Sequence, residues 1–488
     1  MSRINTNVAS LLAQRNLAVS NTSLNESLTR LSTGLQINRG ADDPSGLIVS
    51  ERLRSEIQGV NQAIENAERA TNVIATTEGA LAEINTLLTS IRALTIEAAN
   101  TGAFSPEEIE ANQLEIDSAV EAITRISNTT SFAGLSLLNG SLDYLNSGVT
   151  ASQITDVNVF AASFGQNDSI GVTVQVTASA ELGGLFLSGN TAGAPGALLS
   201  SVSFEVQGNV GVQAFSFTSG TPLSAVAAAV NSVSDATGVQ ASLVSAGDPT
   251  AGLVFQTEEF GSDAFVSVRR LGNGGDFFET FDEPGGTSVA RDEGVDVAGL
   301  INGNTALGDG LELTINNPSL NISLALDTAA AQSTAAAYSF DLTGGGADFQ
   351  IGPQINSLQQ VGFGIQSFAA SNLGTSNLGF LNSIATGGEN SLVAGRAREA
   401  GAIIDESIGQ VSSLRGRLGA FERNTLQTAV RSTSIARENL TAAESQIRDT
   451  DFASETAALT RAQVLQQAGT QTLSLANNNA QNVLSLLQ

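Results

Sequence analysis

Almost every side chain that could carry chemistry in this chain is a carboxylate. There is no histidine and no cysteine among the 488 residues, and all 21 basic residues are arginine. An imidazole base, a thiolate nucleophile and the usual zinc and iron–sulfur ligand sets are therefore excluded. Carboxylate acid–base chemistry, carboxylate-bound calcium or a Ser or Thr nucleophile remain, and each needs a partner group that the sequence must supply. Glu258, Glu259, Asp282 and Glu283 could form a carboxylate site, but a solvated acidic rim is the simpler reading of exposed acids among turns. The residues support no catalytic role, no cofactor and no metal.

Charge narrows the partners. The chain carries 48 acids against 21 arginines, a net −27. Nucleic acid and anionic membrane are bound mainly through clustered basic groups, so both are poor partners. The imbalance is local: residues 1–140 hold 9 Arg and 16 acids, residues 384–488 hold 9 and 10, and the stretch between holds 3 and 22. The N-terminus has no apolar run of signal-peptide length and no segment is long enough to span a bilayer, so the chain is expected to stay inside or to leave by a route that reads no cleaved signal.

The elements that must position these groups fall into three regions. Residues 1–140 contain only Pro44 and Pro106. Their apolar residues recur every three or four positions: Leu24, Leu28, Leu31 and Leu35 form one stripe, and Ile57, Val60, Ile64, Ala67, Thr71, Ile74, Glu78 and Leu81 a second. Such heptads predict helices packed on helices, and an ordinary bundle core is the plain alternative to an assembly face. Asn38–Gly46 breaks the first helix. Leu47–Ala99 has no proline and allows one helix of roughly 80 Å at about 1.5 Å per residue. Ser105-Pro-Glu-Glu caps a further helix over about 106–128.

The middle, 141–383, holds 33 of 49 Gly, 6 of 8 Pro and 17 of 21 Phe. Alternating runs at Gly171–Thr177, Ala214–Thr218 and Leu311–Ile315 predict strands. Thr221-Pro-Leu-Ser opens a helix followed by strands at Val239–Val244 and Gly252–Gln256, a compact β-α-β-β unit. Beyond Leu381 proline is absent and helical spacing returns at Ile404, Ile408, Val411, Arg415 and Leu418. A break at Arg448–Ala453 precedes a last helix with its apolar face at Leu473, Ala476, Ala480, Val483 and Leu487. The order helix, break, long helix at the front is mirrored at the back, so the two ends are expected to pair as a bundle while the middle loops out. The expected fold is α+β and multidomain: a discontinuous helical coiled-coil rod from the terminal segments, with mostly-β outer domains inserted. The whole reads as a structural assembly subunit rather than an enzyme.

The ends resemble bacterial flagellin. The resemblance rests on Ile4-Asn-Thr-Asn-Val, Leu28–Asn38, Ala41-Asp-Asp-Pro-Ser-Gly-Leu, Asn66-Ala-Glu-Arg-Ala-Thr-Asn and Phe132–Gly140 in front, and on Leu414–Asn424, Asn439–Ala453 and Gln466-Gln-Ala-Gly-Thr behind. It covers about 1–145 and 380–488; the middle resembles the variable outer part more loosely. It implies an inner helical domain from 1–44 and 449–488, a rod domain from 45–145 and 376–448, and β-rich outer domains over 146–375. It also implies a helical homopolymer, the filament of swimming motility, in which the termini form an inner tube.

Further partners implied are a secretion chaperone, the filament cap and hook-junction proteins and the type III export apparatus, which would explain the missing signal. An alternative is the hook–filament junction protein, and another is a surface filament whose middle domain is an adhesin. Some flagellins carry a middle-domain hydrolase with a His-Glu-x-x-His zinc motif, which a chain without His cannot build. Recognition by a Toll-like innate receptor is implied near Ser90–Ile96 and Gln113–Asp117. Arg92, Leu94 and Glu115 are in place there, while Ser90 and Ala93 depart from the Arg and Glu that recognised flagellins commonly carry.

Overall fold

A computed structural model describes residues 6–485 except 166, 190–194, 246, 273–277, 318 and 335; the side chains of 249 and 479–485 are also outside the description. Seven principal helices are described: α1 (Val8–Thr33), α2 (Pro44–Ala99), α3 (Pro106–Thr129), α4 (Leu223–Asn231), α5 (Ala397–Phe421), α6 (Gln427–Arg448) and α7 (Phe452–Ser485). Strands fill most of the sequence between α3 and α5. Contacts divide the chain into one unit of 1–71, 350–355 and 420–488, and a second of 72–349 and 356–419.

In the first unit, α1 runs antiparallel to α7. Asn7 Nδ2 donates to the Ala476 carbonyl at 2.9 Å, Gln466 Nε2 to Asn21 Oδ1 at 2.9 Å, and Arg30 meets Glu455 at 3.7 Å. Both breaks seen in the sequence lie at the root of this hairpin, and they meet. Gly34, at φ 73°, ends α1, and its carbonyl accepts from the Thr450 amide at 2.9 Å while the Gln36 amide donates to the Arg448 carbonyl at 2.7 Å. Asp43 then starts α2 by accepting from the Ser45 and Gly46 amides at 3.0 Å. Gly46 is required by space: a Cβ there would lie 2.7 Å from Ile37 Cδ1 and 2.5 Å from the Asp43 carboxylate.

In the second unit the later part of α2 is a heptad helix whose seam is buried. Ile74, Thr77, Leu81, Ile84, Leu88, Ile91, Thr95 and Ala98 alternate spacings of three and four, and Leu81 to Ile91 are fully enclosed. The sequence reading placed the second row of this seam at Thr71 and Glu78; both are half-buried, and the seam runs through Ala70 and Thr77. Alanine and threonine are weak markers of a seam, which is why the larger neighbours drew the register one residue off. Helix α3 buries Ile116, Val120 and Ile123, and α5 buries Ala400, Ile404, Ser407, Val411, Leu414 and Leu418. Ser105 closes a capping box with Glu108 at the start of α3. Helix α5 lies antiparallel to α2, since Arg92 bonds Asp405 at 2.6 Å and Gly419 sits beside Glu78.

Two β modules follow, one nested in the other. Sheets built on Ile154–Ala162, Glu312–Asn316 and Leu320–Leu326, and on Ile170–Ala178, Ala298–Ile301 and Ala337–Gly345, enclose one apolar core. The second core lies between the sheet of Gly184–Leu187, Val239–Leu243, Leu253–Thr257 and Thr280–Phe281 and the sheet of Val202–Gln207, Val212–Phe217, Phe265–Leu271 and Arg291–Glu293, with α4 against it. Phe204 is its centre, ringed by Phe215, Phe217, Phe255 and Phe278. The chain enters this inner module after Ala178 and returns before Ala298 through a single paired rung: Glu181 and Val295 exchange both backbone hydrogen bonds at 2.9 Å. The sequence reading anticipated one β-rich region of uncertain internal borders; nesting leaves no mark in composition.

Candidate assembly surfaces

The α1–α7 hairpin inverts the usual order of an amphipathic pair. Its seam buries Ser10, Ala13, Ser27 and Ala462, and Gly469 lies so near Leu17 that an added Cβ would stand 3.2 Å from Leu17 Cδ1. Ser10 Oγ also bonds Asn477 Oδ1 at 2.8 Å. Small and polar residues let the helix axes approach closely and tie them by hydrogen bonds. The large apolar side chains point away: Val8, Leu11, Val19, Val464 and Leu475 are 58–68% exposed. Large contiguous apolar patches left in water are uncommon on monomeric proteins and mark surfaces that other molecules cover.

Of the residues read from sequence as assembly positions, Leu24, Leu31, Leu35, Leu473 and Ala476 are half-buried and Leu28 is exposed. Ile57 and Ile408 are half-buried, and Val60, Ile64, Ile404, Val411 and Leu418 are buried. The Val483 side chain and Leu487 lie outside the described residues. The leucine stripe of α1 is thus not its tightest contact; the small-residue stripe is. Its signal was present as Ser10, Ala13, Gly469 and Ala476, but small residues are also what a surface helix carries.

The outer modules meet the helices of the second unit at a polar joint. Gln410 on α5 reads the backbone of Gly374 in both directions, accepting from its amide at 3.1 Å and donating to its carbonyl at 2.9 Å. Two turns on, the Arg417 guanidinium lies 3.1 Å from the centre of the Phe160 ring. Nearby, loss of water raises the Glu312 carboxyl above its ordinary value, and the charges of Asp309, Asp156 and Glu406 add to the rise. Asp143 and Asp348 are raised for the same first reason. Tyr144 closes this region. Its hydroxyl accepts from the Ala162 amide at 3.0 Å, burial pushes its pKa up to about 12, and Gly346, Gly362 and Gly364 crowd its ring so closely that a Cβ at any of them would come within 2.8 Å.

The four acids considered as a carboxylate site follow two strands that run the same way on either side of a third. Glu258 and Glu259 follow the strand Leu253–Thr257, Asp282 and Glu283 follow Thr280–Phe281, and both strands flank Gly184–Leu187. All four are exposed and three are held in hydrogen bonds: Glu258 accepts from Gln240, Glu259 from Asn209, and Asp282 from the Glu283 and Thr287 amides. Among the described residues no cluster of acids has the arrangement of a metal site. No helix is long and apolar enough to cross a membrane. At the positions implied for receptor contact, Arg92 is exposed and paired with Asp405, Leu94 is half-buried and Glu115 is exposed.

Family comparisons match these regions. Residues 4–143 fit the bacterial flagellin N-terminal helical region, 402–487 the C-terminal helical region, and 201–258, inside the inner β module, the flagellin hook IN motif. A flagellin of Salmonella rubislaw is 30% identical over 99% of both chains, and the B-type flagellin of Pseudomonas aeruginosa 31% over 99% of both. A flagellin of Escherichia coli K12 is 29% identical, again over 99% of both. With helical ends that fit the family's two terminal regions and relatives up to 31% identical over 99% of both chains, the chain belongs to the bacterial flagellin family, whose members are structural subunits of the flagellar filament.

Proposed function

We propose that the outward face of the α1–α7 hairpin is the polymerising surface of this filament subunit, and that neighbouring copies cover it. The observation that carries this reading is the inversion of the hairpin: small residues inside, Leu11, Val19 and Leu475 outside. Such a hairpin gains little from its own seam, because burying Ser and Ala contributes far less than burying Leu. It becomes stable when other copies bury the leucines, which couples folding of the ends to assembly.

On this reading the inner helical domain is 1–44 with 449–488, the rod domain 45–145 with 376–448, and the outer part 146–375. The chain reaches the cell surface unfolded through the type III export apparatus, accompanied by a secretion chaperone, and assembles under the filament cap from the hook-junction proteins. We assign it no enzymatic role: Glu258, Glu259, Asp282 and Glu283 are exposed, as a solvated acidic rim would be. Deleting 1–35 or 455–488 leaves a folded monomer that does not sediment as filament; filaments of normal length from either truncation would overturn the reading. For the Toll-like receptor, Ser90 and Ala93 weaken the contact made by Arg92, Leu94 and Glu115. Soluble monomer is expected to activate reporter cells less than a Ser90→Arg, Ala93→Glu variant does.

A further inference from the structure

An asparagine followed by glycine is the pair most open to spontaneous conversion, because glycine has no side chain to hinder attack of its own amide on the asparagine side chain. The chain contains three such pairs, Asn139-Gly140, Asn273-Gly274 and Asn302-Gly303, and the second lies outside the described residues. Asn139 and Asn302 are both exposed, so access of water does not separate them. Their hydrogen bonds do. Asn302 and Gly303, at φ 50° and 77°, make the two-residue turn between Ala298–Ile301 and Asn304–Thr305. The Asn302 side chain continues the neighbouring strand: Oδ1 accepts from the Thr173 amide at 2.8 Å and Nδ2 donates to the Gly171 carbonyl at 3.1 Å. Its carbonyl oxygen and its nitrogen are thus both held. Asn139 opens the strand Asn139–Leu142, whose ladder slips register between Ile365 and Ser367 of its partner. Its Oδ1 accepts from the Ser141 amide at 3.1 Å, which polarises the side-chain carbonyl toward attack, and its Nδ2 has no partner among the described residues.

We propose that Asn139 is a site of spontaneous covalent modification, converting to aspartate and isoaspartate in the folded chain while Asn302 is protected. The Gly140 amide nitrogen, deprotonated by hydroxide, attacks Asn139 Cγ. A new C–N bond closes a five-membered imide, the Cγ–Nδ2 bond breaks and ammonia leaves. Water then opens the imide at either carbonyl, and no enzyme or oxidant is needed. Opening on one side gives isoaspartate, whose backbone is longer by a methylene. The surroundings leave little room for it: a Cβ on Gly140 would already stand 3.3 Å from Ser367 Cβ. On the other side Leu138 is fully buried, and its carbonyl accepts from the Ser127 hydroxyl at 2.6 Å and the Phe368 amide at 2.9 Å. The longer backbone therefore breaks the rung between Asn139 and Ser367, between the end of α3 and the first outer strand, Tyr144–Ser147. The chemistry belongs to the folded chain itself and does not depend on the filament reading.

The test ages the full-length chain at mildly alkaline pH, folded in buffer and unfolded in urea, and follows the replacement of NH2 by OH at each site by peptide mass mapping. The urea sample gives the rate of each site without structure. Relative to it, Asn302 is expected to slow by about tenfold or more, the effect of two net hydrogen bonds, and Asn139 by about threefold or less, the effect of one. Isoaspartate, labelled with an isoaspartyl methyltransferase, is expected at 139. The aged chain is expected to exchange the amides of 139–142 and 365–368 faster than fresh chain does. Asn139→Gln, whose longer side chain closes its ring far more slowly, is expected to remove both changes. Equal slowing of the two sites, faster conversion of Asn302, or no conversion of Asn139 in the folded chain overturns the proposal. Isoaspartate at 139 without faster exchange overturns the loss of the rung.

Discussion

The two helical units bury opposite kinds of residue. The α2 seam in the second unit encloses Leu81, Ile84, Leu88 and Ile91 completely, while the α1–α7 seam in the first encloses Ser10, Ala13, Ser27 and Ala462, half-buries Leu24, Leu31 and Leu473, and leaves Leu11 and Leu475 in water. A buried leucine contributes about 1.5–3 kcal/mol and a buried serine almost nothing. On the proposed reading one unit is stable as a monomer, and the other keeps apolar surface for contacts that arise on assembly. The lesson is that a heptad pattern reports periodicity and does not by itself tell which side faces in, since one seam buries its large residues and the other its small ones.

Three measurements would break or sharpen this contrast. The largest effect is expected from Leu11→Ser with Leu475→Ser, which on the proposed reading abolishes sedimentable filament while the urea midpoint of the monomer stays where it was. A monomer destabilised by that pair would mean that the leucines are covered within the chain. Leu88→Ala is expected to do the reverse in kind: about 2–5 kcal/mol of monomer stability is lost from a fully enclosed site, read from the same denaturation curve.

The smallest effect concerns pH. In the outer module Asp143, Glu312 and Asp348 are raised by loss of water, so the folded chain holds their protons more tightly than the unfolded one. Their contribution is fully present below the ordinary carboxylate values and is lost as pH rises through the raised ones. Glu51 in the first unit behaves in the opposite sense. Its pKa is lowered first by the Arg448 hydrogen bond, and that contribution is present at neutral pH and lost on acidification. Glu312→Gln should raise stability at neutral pH and make no difference in acid. An unchanged difference across pH would remove Glu312 from this account.

Much of the helical architecture was legible because its signals are local. Ser105-Pro-Glu-Glu gave the start of α3, the long stretch free of proline gave α2, and the break at 448–453 falls where Thr450 meets Gly34; the first break was read at 38–46 but begins at Gly34, so Leu35 lies beyond α1. Strands at Ile170–Ala178, Val212–Phe217 and Glu312–Asn316 fall where alternation placed them. Harder to read was anything decided between distant residues. The π-helical turn at Glu422–Leu426, which interrupts the helical run between α5 and α6, has no proline or glycine within it to announce it. Arg417 on Phe160 joins strand to helix across more than half the sequence, and neither residue is unusual in its own neighbourhood.

The rung between Glu181 and Val295 has a consequence for how such surfaces diversify. Because the two chain crossings stand one hydrogen-bonded pair apart, everything from 182 to 294 is a cassette with adjacent ends. A foreign sequence whose own termini lie close together could take its place provided that it also supplies what Phe260 packs against the outer core and the partner that Asp296 finds in the Ser262 amide and hydroxyl, at 2.9 and 2.6 Å.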